Sequence, residues 1–144
     1  MIQACAIVGF VLIAVQQMEV GAAPLNYACP HFLPEVAVKV TSPGSEWKPY
    51  VSAPLYLHGA EPADGPPERL GMLRGNDPRK TKTGLTQTFS LEGNYPEGKW
   101  LRCDYGSLGE MSLSKRLPDG VKQCTVQTRK GVHAGENHVD IACQ

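Results

Sequence analysis

The chain lacks an excess of charge. Its 14 Lys and Arg stand against 14 Asp and Glu, so a nucleic acid or a charged membrane surface is not indicated as a partner. It lacks an apolar run long enough to span a bilayer. Its longest, from Ala4 to Val15, has twelve residues, where a span needs about 20. It lacks Cys-x-x-Cys, and its last four cysteines are spaced 74, 21 and 19 apart, too wide for a zinc knuckle. It lacks Gly-x-Ser-x-Gly, His-Glu-x-x-His and a phosphate-cradling Gly loop, the patterns that would name a hydrolase, a metalloprotease or a nucleotide enzyme. Ser45, Ser107 and Ser112 stand in no pattern that links them to a base. The sequence therefore assigns no catalytic residue, no metal and no cofactor, and the expectation is a non-enzyme. Beyond residue 22 it shows no internal repeat and no helix longer than a turn or two.

The apolar run at the start has the right length for a signal-peptide core. Val20-Gly21-Ala22 fits the small-x-small rule and places cleavage after Ala22. Cleavage after Ala23 would set Pro24 just beyond the scissile bond. No Lys or Arg precedes the apolar core, which departs from the usual pattern. A buried N-terminal helix is the alternative reading. A lipoprotein fits less well, because Cys29 follows Asn26-Tyr27-Ala28 and not a Leu-x-small triplet. The expected division is a signal peptide over 1–22 and a single β domain over 23–144. That domain keeps 14 bases against 13 acids, since Glu19 leaves with the leader. The expected location is the periplasm or, alternatively, outside the cell.

Four cysteines remain after cleavage: Cys29, Cys103, Cys124 and Cys143. An even number in a small exported domain reads as two disulfides. Their pairing is argued from the strands. From Lys99 to Tyr105, Leu101, Cys103 and Tyr105 alternate with Trp100, Arg102 and Asp104, the period of a half-buried strand. Met111 to Leu117 and Val121 to Thr128 follow across Gly106–Gly109 and Pro118-Asp119-Gly120, both turn signals. Three strands in a row predict an antiparallel meander. Cys103 and Cys124 would then lie two strand spacings apart, about 10 Å, too far to bond. Val139, Ile141 and Cys143 alternate as a last strand that can form a hairpin with Val121–Thr128, placing Cys124 opposite Cys143. That leaves Cys29 for Cys103. The alternative, Cys29–Cys143 with Cys103–Cys124, requires displacing the middle strand.

Elsewhere, Val36–Thr41 alternates as a strand, and Trp47–His58 reads as a second extended run, at an edge or bulged because of Pro49 and Pro54. Residues 59–84 are rich in Pro and Gly and read as one long loop with at most a helical turn at Pro66–Leu70. Arg74, Arg79, Lys80 and Lys82 make it basic. A connection of this length is a functional or a solvated segment. Leu85–Leu91 returns to strand. Six to seven short strands predict an all-β antiparallel sandwich or small barrel stapled by two disulfides.

Candidate chemistry is sparse. His133 and His138 form the only local histidine pair, in a hairpin loop where polar residues gather anyway. Glu92 with Glu97, or Asp104 with Glu110, could be read as carboxylate pairs, but surface turns carry such pairs routinely. Among the aromatics Trp47, Tyr50, Tyr56, Tyr95, Trp100 and Tyr105, most are expected in the core. Trp100 lies opposite Cys103, where it is either an exposed interface residue or covered by a second layer.

Ala28-Cys29-Pro30, Leu57-His58-Gly59, Trp100-Leu101-Arg102-Cys103-Asp104-Tyr105 and Leu117-Pro118 followed by Cys124 together resemble a family of small exported proteobacterial proteins of unknown function. The resemblance covers nearly all of residues 23–144. It implies a periplasmic protein. Because some members are encoded near contact-dependent antibacterial secretion systems, it also implies an immunity role. The resulting expectation is a periplasmic immunity or inhibitor-type protein acting on a cell-wall-targeting toxin or hydrolase. Arg74, Arg79, Lys80 and Trp100 are the expected partner-binding residues, and residues 59–84 and 129–137 the contact loops. The alternative is an envelope accessory protein that binds peptidoglycan or polysaccharide through exposed aromatics.

Overall fold

The computed structural model describes residues 23–144. The signal-peptide reading falls outside these residues. The described chain is all-β and forms two antiparallel sheets. The strands are β1 (Leu25–Tyr27), β2 (Phe32–Leu33), β3 (Leu55–Asp64), β4 (Arg79–Lys80), β5 (Leu85–Ser90), β6 (Lys99–Tyr105), β7 (Met111–Arg116), β8 (Gln123–Lys130) and β9 (Asn137–Cys143). One sheet has the order β1-β9-β8-β5-β4 and the other β2-β3-β6-β7. Six strands have six or more residues; β1, β2 and β4 are short edge pieces. The sheets pack through the inward halves of their alternating strands. Leu101, Cys103 and Tyr105 of β6 meet Leu57 of β3, Phe89 of β5, Cys124 and Val126 of β8, and Ile141 and Cys143 of β9 in one buried cluster.

The disulfides join Cys29 to Cys103 and Cys124 to Cys143, with Cα separations of 5.9 and 4.1 Å. The second closes β8 on β9 in register. The first ties the segment between β1 and β2 to the centre of the other sheet.

The expected three-strand meander is corrected. β6 and β7 pair as a hairpin, but β8 belongs to the opposite sheet, between β9 and β5. Pro118-Asp119-Gly120 is the crossing between layers, with Leu117 and Val121 buried on either side of it. Lys99 fixes this crossing. It is buried, and its Nζ donates to the carbonyls of Asp119 at 2.9 Å and Val121 at 2.6 Å. Cys103 and Cys124 therefore lie in different layers, not two strands apart in one sheet.

Three further expectations are corrected. Val36–Thr41 is not a strand: Glu35–Ala37 is a 3-10 turn begun by Pro34, and no strand is offered as a partner. β-branched residues favour strands only where a half-buried pleated surface exists to receive them. Strand structure in the Trp47–His58 run begins only at Leu55. The 59–84 loop is shorter than its composition suggests, because Gly59–Asp64 belongs to β3 and pairs with β6. Pro62 is tolerated because its nitrogen faces away from β6. Asp64, two residues on, donates outward on that side to Gly71 O at 2.7 Å. Pro there breaks no ladder bond. The remainder is strapped down by the Ala63–Met72 bridge, by Asn76 on Thr88, and by β4 on β5.

Candidate functional site

The expected partner-binding residues divide between two ends of the sandwich. β6 runs from Trp100 near one end to Tyr105 at the other, and the turn after Tyr105 meets the β8–β9 loop. A Cβ on Gly135 would lie 2.7 Å from Ser107 Cα. The β4–β5 turn joins the same end, since Gly84 abuts the carbonyl of Thr128 and Arg129. Arg79 and Lys80 on β4 therefore stand beside the 129–137 loop. Arg74 lies between the ends, on the segment that straps the side. Trp100 lies at the far end on the outer face of its sheet, half-buried, with its indole N–H donating to Glu97 O at 3.0 Å. The four residues do not make one surface.

The loop end is assembled from five segments. Phe32 of β2 packs against Tyr56 of β3, ring centres 6.2 Å apart, and Tyr56 stacks on His133 of the β8–β9 loop at 4.0 Å. His31 meets His138 edge-on at 6.2 Å. A bulge shifts the register between Leu57 and Gly59. There the His58 carbonyl accepts from Asn137 Nδ2, and His58 Nδ1 lies 3.2 Å from Gly135 O. All four histidines thus gather here without forming a metal set. His133 and His138 hold different aromatic partners, and no group of three potential ligands exists among the described residues.

Each of the two loop tips is pinned by its own glutamate. Glu110 accepts from Leu108 N–H at 3.1 Å and from the Ser107 hydroxyl at 3.3 Å. Glu136 accepts from the N–H groups of Val132 and His133, both at 2.9 Å. Backbone N–H donors stabilise the ionised form. For Glu110 these are its own and that of Leu108; for Glu136 they are those of His133 and Val132. Both carboxyls are held below the ordinary value, Glu110 at an exposed and Glu136 at a half-buried position. Gly106, Gly109 and Gly135 supply the left-handed backbone that such tight loops need, with φ of 95°, 74° and 74°. The tips themselves are apolar: Leu108 is 83% exposed and Val132 87%.

On the flank of this end, Arg79, Lys80, Lys82 and Lys130 are exposed and enter no ion pair among the described residues. Arg129 is paired with Asp140 at 2.7 Å. The sequence singled out Arg79 and Lys80 but not Leu108 or Val132. A lone aliphatic residue in a loop carries no signal; only the glutamate two or four positions later hints at a pinned turn.

Other polar groups are committed to structure. Arg102 on the outer face of β6 pairs with Glu61 and Asp104, each at 2.9 Å. Burial pushes the Glu61 carboxyl up against the opposing pull of Arg102. Asp104 and Glu110 thus serve an ion pair and a loop cap, not a shared reaction centre. The aromatic expectation is corrected too. Trp47 and Tyr50 are 65% and 87% exposed, and Tyr105 is the fully buried one, because the segment carrying the first two never joins a sheet. A cleft of about 420 Å³ opens between edge strands β1 and β7, lined by Leu25, Tyr27, Leu101 and Leu113.

No curated protein and no solved structure matches the chain. The family model described as Type VI secretion system Tli immunity protein matches residues 52–144, which contain β3 to β9 and the loop end built from them. The chain belongs to the type VI secretion system Tli immunity protein family.

Proposed function

We propose that this immunity protein is exported and acts in the periplasm, where it binds a protein toxin delivered by the type VI system and blocks it without chemistry of its own. The family match over residues 52–144 carries the reading. Two disulfides support an oxidising compartment, as does the short apolar run at the start of the sequence. The toxin class that fits a periplasmic site of action is a hydrolase of the cell envelope, the cell wall being the substrate expected from the sequence.

A competition assay tests this. Recipient cells lacking the chain are mixed with attackers carrying an active type VI system, with and without the full chain restored. The expected result is that the full chain protects, and that residues 23–144 made without the leader do not. Equal killing with and without the chain would end the immunity reading. Equal protection without the leader would end the periplasmic one. Release of wall fragments or of lipid hydrolysis products from dying recipients identifies what the toxin cuts.

A further inference from the structure

We propose that the toxin is gripped by the loop end, with Leu108 and Val132 as twin apolar anchors and Arg79, Lys80, Lys82 and Lys130 as a basic flank. The complementary toxin surface is an apolar cleft bordered by carboxylates. This rests on the immunity reading and adds to it the surface and the chemistry of its partner.

The anchors differ from ordinary exposed aliphatics, which occur singly on any surface and need no explanation. Here two of them sit on adjoining loops, and the loops touch through Ser107 and Gly135. Each loop is closed by a carboxylate that accepts the anchor's own backbone N–H. A glutamate cap beneath an apolar tip holds the tip out in water, where the fold gains nothing from it. What such rigidity lowers is the entropy lost on association, the cost that a flexible loop pays when it is ordered by a partner. The Phe32, Tyr56 and His133 rings extend the same end with aromatic surface; Phe32 is 48% exposed. Hot spots are richest in aromatic residues and Arg, which this end supplies beside the two tips, and the aliphatic tips add apolar area that a partner can bury.

The charge decides the partner's character. Glu110 and Glu136 are spent on loop backbone, and Arg129 on Asp140. The four cations of the flank are left facing solvent on β4, the β4–β5 turn and the end of β8. A basic flank steers association with an acidic rim and sets a salt-dependent on-rate.

The experiment uses the full chain in recipient cells challenged by the same type VI attackers, with three variant sets. The first is Leu108→Asp with Val132→Asp. The second is Arg79→Glu, Lys80→Glu and Lys82→Glu together. The third is Trp100→Ala, at the far end of β6 from these loops. Each variant is first checked for both disulfides by thiol counting and for strand content by circular dichroism. The toxin retained by immobilised parent chain from attacker supernatant is the probe for affinity. Expected are a loss of affinity of at least 100-fold with loss of protection for the anchor pair, and about a 10-fold loss, concentrated in a salt-sensitive on-rate, for the charge reversal. The third set should protect like the parent. A folded anchor pair that protects as well as the parent overturns the proposal. So does a charge reversal that abolishes binding to vesicles of anionic lipid while leaving protection intact, or an anchor pair that splits a dimer of this chain without weakening the toxin complex. Failure of the parent itself to protect would refute the immunity reading instead, and is seen in the first arm of the same assay.

Discussion

Tyr105 offers a sharp test of the core. Its side chain is fully buried, and its hydroxyl has no hydrogen-bond partner among the described residues. Burial first, then the neighbouring Asp104 charge, push its pKa from 10.0 up to about 12. A buried polar group without a partner pays its desolvation in full, about 1–3 kcal/mol, so replacing it by an apolar isostere removes that penalty. Tyr105→Phe should therefore raise stability at neutral pH by about 1 kcal/mol, allowing for the small void left behind. The pH dependence is a second handle. A raised pKa means that the folded state holds the neutral form. Stability is complete below pH 10 and is lost as pH climbs toward 12, because the unfolded chain ionises first. At pH 11 the parent should have lost about 1.4 kcal/mol by this route, and Tyr105→Phe none of it. Tyr95 is also pushed up, by its partial burial and by Asp64, but it is common to both proteins and cancels. Urea unfolding with disulfides intact, followed by circular dichroism at pH 7.5 and in brief exposure at pH 11, reads both effects. A loss of more than 1 kcal/mol at pH 7.5 would mean the hydroxyl has a partner. A gap between the two proteins that stays constant with pH would mean Tyr105 is not held neutral.

Lys99→Met should destabilise by about 2–3 kcal/mol in the same unfolding measurement, because the carbonyls of Asp119 and Val121 lose a charged donor; a neutral outcome would show that this lysine does not fix the crossing between layers. Replacing Cys29 and Cys103 by Ala should cost more than replacing Cys124 and Cys143. The first pair spans 74 residues and the second 19, which on chain entropy alone gives about 4.4 against about 3.2 kcal/mol. The reverse order of melting temperatures would refute that reasoning. Glu136→Gln should speed amide exchange at Val132 and His133 at neutral pH. In the parent, the same protection should persist above the ordinary carboxyl value of 4.5 and fade as pH falls below it, through the lowered value. Unchanged exchange would mean the loop is held by something else.

The all-β class was legible because its signals are local. Alternation in Lys99–Tyr105 and turns at Gly106–Gly109 and Pro118–Gly120 depend on neighbouring residues alone. The layer to which a strand goes was not legible. Val121–Thr128 has the same pattern whether it extends one sheet or crosses to the other, and the deciding contact, Lys99 on Asp119 and Val121, joins residues 20 or more apart. Val36–Thr41 misled for the converse reason, having strand composition without a strand to pair with. At the loop end, Arg79 and Lys80 stand out in the sequence as charges, whereas Leu108 and Val132 become conspicuous only when the fold brings their two loops together. Trp100 reads as a surface residue from its face of the strand alone; only the fold shows that it lies at the other end of β6 from Arg79 and Lys80.

β1 pairs with β9 so that Leu25 lies opposite Cys143, while Asn137 at the other end of β9 adjoins the pinned loops. Both ends of the described chain therefore emerge together, one strand length, roughly 20 Å, from Leu108 and Val132. The molecule has a handle and a head. A reporter, a surface tether or a second copy of the domain joined at residue 23 or residue 144 would not cross the loop end. For the same reason two such domains in tandem would present their loop ends outward, on opposite sides of the joint.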